Sequence, residues 1–230
     1  MTHAAPPNPW LAALGQRLSQ ALAESRLAHP PQADSAGAAG TRWQLPAGGV
    51  AQGAAAALTE MLGFGTPAAH AELLARCLQH YRSQLAGACG QDDLGLALAA
   101  YLGACRQALD QEPLTPQRWQ AVAQWLKAWV VDELPWDQAP LAQRQDAFER
   151  FAALAVALGE WTVQASREGK AQQASALWMA RNSLRGQLGL DLPALCAALR
   201  GLDAPIAANP SVQRADLGVA AYSQPGADPV

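Results

Sequence analysis

The chain has 230 residues, half of them apolar and 15% charged, with a formal net charge of −3. That length supports one sizeable core, and the even scatter of few cations excludes the basic footprint that nucleic-acid backbones demand. No stretch reaches the ~20 consecutive apolar residues of a membrane-spanning helix; the longest candidate, Phe151 to Trp161, is too short.

The start, "MTHAAPPNPWLAALGQRLSQ", opens on prolines where a secretory signal would carry cations and a continuous apolar run. The expected compartment is the cytoplasm, with export lacking a classical signal peptide as the alternative. The first helix is expected over about Pro9 to Ala28, with Asn8 as N-cap and Pro9 in the first turn. Leu11, Leu14, Leu18 and Leu22 line one of its faces. It can dock either on the rest of the chain or on a partner. His29 to Gly49 is rich in Pro, Gly, Ala and Ser and reads as a flexible linker. Residues 1–49 thus form an N-terminal helix and linker, a flexible arm.

Val50 to Gly65 reads as a short helix closed by glycine. Thr66 and Pro67 supply a cap and first-turn pair that opens a helix to about Ala86. Gly87 and Gly90 close that unit. Asp92 or Asp93 caps the next helix, which runs to about Gln111. Thr115 and Pro116 repeat the Thr-Pro device, and Pro135 ends the helix they open. A long helix follows Pro140 as far as Glu168, with Gly169 at its C-terminal cap. Another spans about Ala171 to Leu188. Asp191 caps the last, which ends at Gly201. Residues 203–230 lack periodicity and read as a disordered tail. Apolar residues recur at three and four throughout, and no alternating β-branched run occurs. Short connections favour antiparallel neighbours. The expected fold is therefore all-α: an antiparallel bundle of about six or seven helices over residues 50–202.

The segment "PQRWQAVAQWLKAWVVDELPW", Pro116 to Trp136, holds Trp119, Trp125, Trp129 and Trp136, half of the chain's eight tryptophans. At ~100° per residue, Trp119, Val122, Trp125, Leu126, Trp129 and Val130 share an arc of about 160°. Gln120, Gln124 and Lys127 fall outside it. Large rings facing an alanine-rich bundle fill the space that small residues leave. The competing use is an anchor patch for a partner, where tryptophan is enriched. Trp136, beyond Pro135, is the ring most expected at the surface.

Other constellations are thinner. His70, Cys77 and His80 share a helix, but the i, i+4 pair of helical metal sites is missing. Asp92 and Asp93 sit where a helix starts, as dipole and cap groups do. Glu149, Glu160 and Glu168 are scattered along one helix, and a solvated face is the expected reading for them. Cys77, Cys89, Cys105 and Cys196 form no CxxC pair and read as free thiols. No glycine-rich phosphate loop or nucleophile elbow appears. Arg181 and Arg185 stand one turn apart and could grip a carboxylate or phosphate, although a solvated face is the commoner use.

"LGLALAAYLGACRQAL" (Leu94 to Leu109) ahead of the tryptophan helix, with "LRGQLGLDLPALC" (Leu184 to Cys196) near the end, resembles an uncharacterised bacterial family of all-helical domains of unknown function. The resemblance covers about residues 60–202. It implies an envelope or exported setting, from which this start departs, and it assigns no activity to any residue.

These readings lean away from an enzyme and require no cofactor and no metal. The expected function is a protein–protein interaction or accessory module with an unknown protein partner. Its candidate binding residues are Trp125, Trp129, Trp136, Arg181 and Arg185. A ligand-binding or enzymatic bundle with a Trp- and Arg-lined pocket is the first alternative. A non-classically secreted effector is the second. Nothing in the sequence sets the oligomeric state.

Overall fold

The computed structural model describes residues 9–24, 44–45, 52–63, 66–85, 92–112, 115–133 and 138–201. Trp136, Trp43, Cys89, most of the expected linker and the expected tail lie outside the described residues.

The described residues form helices packed on one another. They are α1 (Pro9–Ala23), α2 (Gln52–Leu62), α3 (Pro67–His80), α4 (Leu94–Asp110), α5 (Pro116–Glu133), α6 (Leu141–Glu168), α7 (Lys170–Leu188) and α8 (Leu192–Gly201). Their boundaries follow the local chemistry. The Thr66 hydroxyl accepts from the Ala69 amide at 3.3 Å, with Pro67 in the first turn. Asp93 accepts from the Leu96 amide at 3.1 Å and starts α4. Asp191 does the same for α8 through the Ala194 amide, also at 3.1 Å. Gly189 ends α7 at φ 66°, in the left-handed region that glycine enters without a Cβ penalty.

Helix α4 sits at the centre. Leu94 through Leu102 are all buried, the all-round burial of a helix enclosed by neighbours. Its most extensive contact is with α6, where Phe148, Phe151 and Leu154 are fully buried. Each such side chain contributes on the order of 1.5–3 kcal/mol by leaving water. Tyr101 of α4 lies 5.4 Å from Phe151, ring centre to ring centre, and its hydroxyl shares a 2.9 Å hydrogen bond with Ser183 of α7. The bond and the ring contact together tie α4 to α7 and to α6 in the dry interior.

The first helix belongs to this packing. Trp10, Leu11, Leu14 and Leu18 are buried, and α1 contacts α7 and α8. Of the two placements open to it, docking on the chain itself is the one observed. Gly15 makes the contact close: a Cβ there would stand 2.3 Å from the Leu188 carbonyl oxygen.

Two local features have no counterpart in the sequence reading. Helix α3 widens into a π-helical turn at Tyr81–Leu85. That turn keeps Tyr81 fully buried, edge-on to Phe148 at 5.7 Å, while Arg82 grips Asp92. A two-residue antiparallel ladder also pairs β1 (Gln44–Leu45) with β2 (Asp92–Asp93). Among the described residues, no helix is long and apolar enough to cross a membrane.

Candidate functional site

The tryptophan helix answers as packing. Trp125 and Trp129 are only 5% and 6% exposed, and their rings stack at 5.6 Å with 17° between planes. Val122, Leu126 and Val130 are buried beside them, and Trp119 is half-buried. The apolar arc read from the sequence is the arc turned inward. Lys127, outside it, reaches the Asp93 carboxylate at 2.5 Å and ties α5 to the start of α4.

The acidic pair also proves architectural. Asp92 and Asp93 are both buried, and each has its own cation. Arg82 donates to both Asp92 oxygens, at 2.9 and 2.7 Å. These hydrogen bonds hold the guanidinium above its ordinary pKa against the opposing effect of burial, and the Glu149 charge adds to them. Glu149 departs from the solvated face expected of it: it is fully buried, accepting from Gln145 at 2.7 Å. Its helix is covered by α2, α3, α4 and α7, so little of α6 is left for solvent at that point. Glu160, farther along, is 55% exposed and lies 3.6 Å from His80. His70 bonds Thr59 at 2.7 Å. His70 and His80 therefore face different partners. Among the described residues no group of three His, Cys, Asp or Glu could hold a metal ion.

Three of the cysteines are buried free thiols. Burial pushes Cys77 up to about 12 and Cys196 up to about 11, and raises Cys105 as well. Thiols held protonated in this way are poor nucleophiles.

Among the described residues, α7 carries an exposed face that combines a large ring with cations. Trp178 is 59% exposed, against the single-digit exposure of the core tryptophans. At ~100° per residue, Ala171, Ala174, Ser175, Arg181, Asn182 and Arg185 all fall within about 60° of it. Every one of these residues is exposed. The helix sequence, KAQQASALWMARNSLRGQL, contains Lys170, Arg181 and Arg185 and no acid. Neither Arg181 nor Arg185 forms a hydrogen bond or an ion pair among the described residues. Trp178 was not singled out by the sequence reading, although the signal was present: it lies opposite the apolar arc of Met179, Ala180 and Leu184.

Arg185 also borders an open groove of about 950 Å³ between α1, α2 and the end of α7. A polar relay crosses it. Arg150 of α6 bonds Asp146 at 3.1 Å and Gln187 at 2.8 Å, and Gln187 bonds Glu60 at 3.3 Å. The groove holds Arg185 but neither Trp125 nor Trp129, so the expected residues are not gathered into one pocket. Trp125 and Trp129 are core, Arg181 and Arg185 are surface, and Trp136 lies outside the described residues.

No curated protein and no solved structure matches the chain. One family model, described as "Family of unknown function (DUF6683)", matches residues 11–202. That span takes in α1 from Leu11 onward, whose buried face had already tied it to the bundle, along with the two stretches that carry the resemblance in sequence. The chain belongs to the family of unknown function DUF6683.

Proposed function

We propose that this domain is a non-catalytic docking module that binds a protein partner through the exposed face of α7. The observation that carries the proposal is Trp178. A ring 59% exposed, flanked at helical spacing by two arginines without carboxylates, has the make-up of an interface hot spot. Leaving such a ring in water forgoes burial worth on the order of 1.5–3 kcal/mol, which a partner can recover. The interior argues in the same direction: its buried aspartates cap a helix or pair with cations, Glu149 is bonded by the Gln145 amide, and its described thiols are held protonated.

The test is a photo-crosslinking residue placed at position 178 in the native host, with the same residue at exposed Gln79 of α3 as control. A discrete protein adduct at 178 and none at 79 supports docking on α7. Equal adducts, or none at either site, refute it. The groove supports a second reading, a small polar ligand held by Arg150, Arg185 and Gln187. Ligand-induced shifts of the Gly53, Gly186 and Gly189 amide resonances, leaving Trp178 unmoved, would favour it.

A further inference from the structure

We infer that the partner segment received by α7 is an acidic polypeptide, whose apolar side chains cover the Trp178 ring while its carboxylates pair with Arg181 and Arg185. The inference rests on the docking reading and adds the chemistry of what docks.

Charge complementarity carries it. The chain as a whole is acidic, with a net charge of −3, yet α7 runs 19 residues without one acid. Five cations elsewhere have carboxylates: Arg82 has Asp92, Lys127 has Asp93, Arg150 has Asp146, and Arg106 and Arg200 share Asp110. Arg181 and Arg185, like exposed Arg76 and Arg167, have none among the described residues, and the two on α7 are the pair that flanks the exposed Trp178 ring. A guanidinium offers a planar fork that matches a carboxylate with two parallel hydrogen bonds.

The spacing fits a polypeptide. Four residues of helix separate the two arginines by about 6 Å along the axis. Carboxylates one turn apart on a partner helix, or two residues apart on a strand, repeat that distance. Ala174 and Ser175 leave the ring accessible from the N-terminal side. The groove side is closed to the acidic chain, because the Glu60 carboxylate stands beside Gly186 and is already bonded to Gln187. The segment therefore runs along the exposed stripe of α7 and not into the groove.

The experiment titrates the full chain with a random copolymer of glutamate and tyrosine, using tryptophan-selective excitation. Comparison with Trp178→Phe isolates the responding ring. A copolymer of lysine and tyrosine and vesicles of phosphatidylglycerol are the controls. Expected is a saturable change in Trp178 emission with the acidic copolymer alone. Its affinity should fall about tenfold or more in Arg181→Gln/Arg185→Gln, the size expected for losing charge-assisted pairs. It should also fall between about 0.05 and 0.5 M salt. Both arginines are exposed, so the variant's unchanged thermal midpoint shows that folding is not the cause. An equal response to both copolymers overturns the acidic chemistry while leaving docking on α7 intact. A response to the vesicles alone makes the ligand a lipid surface and overturns it. Concentration-dependent self-association lost in Trp178→Phe, read by sedimentation, makes the occupant a second copy and overturns it too. No response to any probe also overturns the acidic chemistry; a crosslink at 178 would then keep the docking reading, and its absence would remove both.

Discussion

Adding one methyl group at Gly15 has a sign that depends entirely on where α1 sits. In a free helix, Gly to Ala is stabilising by ~1 kcal/mol, because alanine loses less backbone entropy. In this fold the new Cβ would stand 2.3 Å from the Leu188 oxygen and 2.8 Å from its carbonyl carbon, where ordinary contact begins at 3.4 Å. Both obstacles are backbone, so no rotamer change relieves them, and α1 or the end of α7 must move by about 1 Å. Overpacking of that kind costs typically 1–3 kcal/mol. If α1 leaves altogether, the burial of Trp10, Leu11, Leu14 and Leu18 is lost as well. The expected result is a net loss of about 1 kcal/mol, and at most about 2, in Gly15→Ala, the methyl gain subtracted. Gly159 of α6 supplies the control, since nothing lies within 4 Å of a Cβ there; Gly159→Ala should gain up to ~1 kcal/mol. Urea unfolding followed by far-UV circular dichroism separates the two. At a slope of about 2 kcal/mol per molar, the midpoints should move in opposite directions by roughly 0.5 M each. Amide exchange should show lost protection in α1 of the first variant alone. Midpoints that rise together would show that α1 does not pack against α7.

Three further outcomes follow from the same packing. Trp129→Ala should cost about 3–5 kcal/mol as a core cavity, whereas Trp178→Ala should stay within about 0.5 kcal/mol, both read by denaturant midpoint. At Asp110, burial raises the carboxyl, but the bonds from Arg200 and Arg106 outweigh it and leave the pKa below its ordinary value. A depressed folded pKa gives stability that is present above the unfolded value of ~3.9 and is lost as pH falls through the folded one. Asp110→Asn should therefore flatten the acid limb of the stability curve below about pH 4 and leave its slope near neutrality unchanged. Cys77, Cys105 and Cys196 should resist iodoacetamide at pH ~8 until the protein is unfolded; the count is best made in Cys89→Ser, and rapid alkylation of the native variant would contradict their burial.

Much of the architecture was legible because it is written in local chemistry. Thr66 with Pro67, Asp93, Gly169 and Asp191 mark helix ends through groups that satisfy or release backbone bonds within a turn or so. The tryptophan arc of α5 was legible because periodicity reports which way a helix faces. What stayed hidden depends on contacts between distant residues. Glu149 looks like any surface glutamate until α6 is seen covered on several sides. The relay from Asp146 through Arg150 and Gln187 to Glu60 joins residues 127 positions apart at its last link. The π turn at Tyr81 answers to Phe148 and Asp92, neither of them local to it. The candidate site was half legible: Arg181 and Arg185 stood out by spacing, while Trp178 sits among small and polar residues where no apolar arc marks the ring. On α5, Trp125 and Trp129 are interior, and among the described residues Trp178 on α7 is the tryptophan most exposed to water.

The most direct measurement is acrylamide quenching of tryptophan emission in wild type, Trp178→Phe and Trp129→Phe, read as difference spectra. Subtracting the Trp178 variant should leave a red-shifted, readily quenched component. Subtracting the Trp129 variant should leave a blue, shielded one. If the Trp178 component is blue and shielded in the isolated chain, the ring is already covered and α7 offers no docking face. If the Trp129 component is the quenchable one, the helix taken as core is the surface, and the assignment of interior and exterior made throughout is wrong.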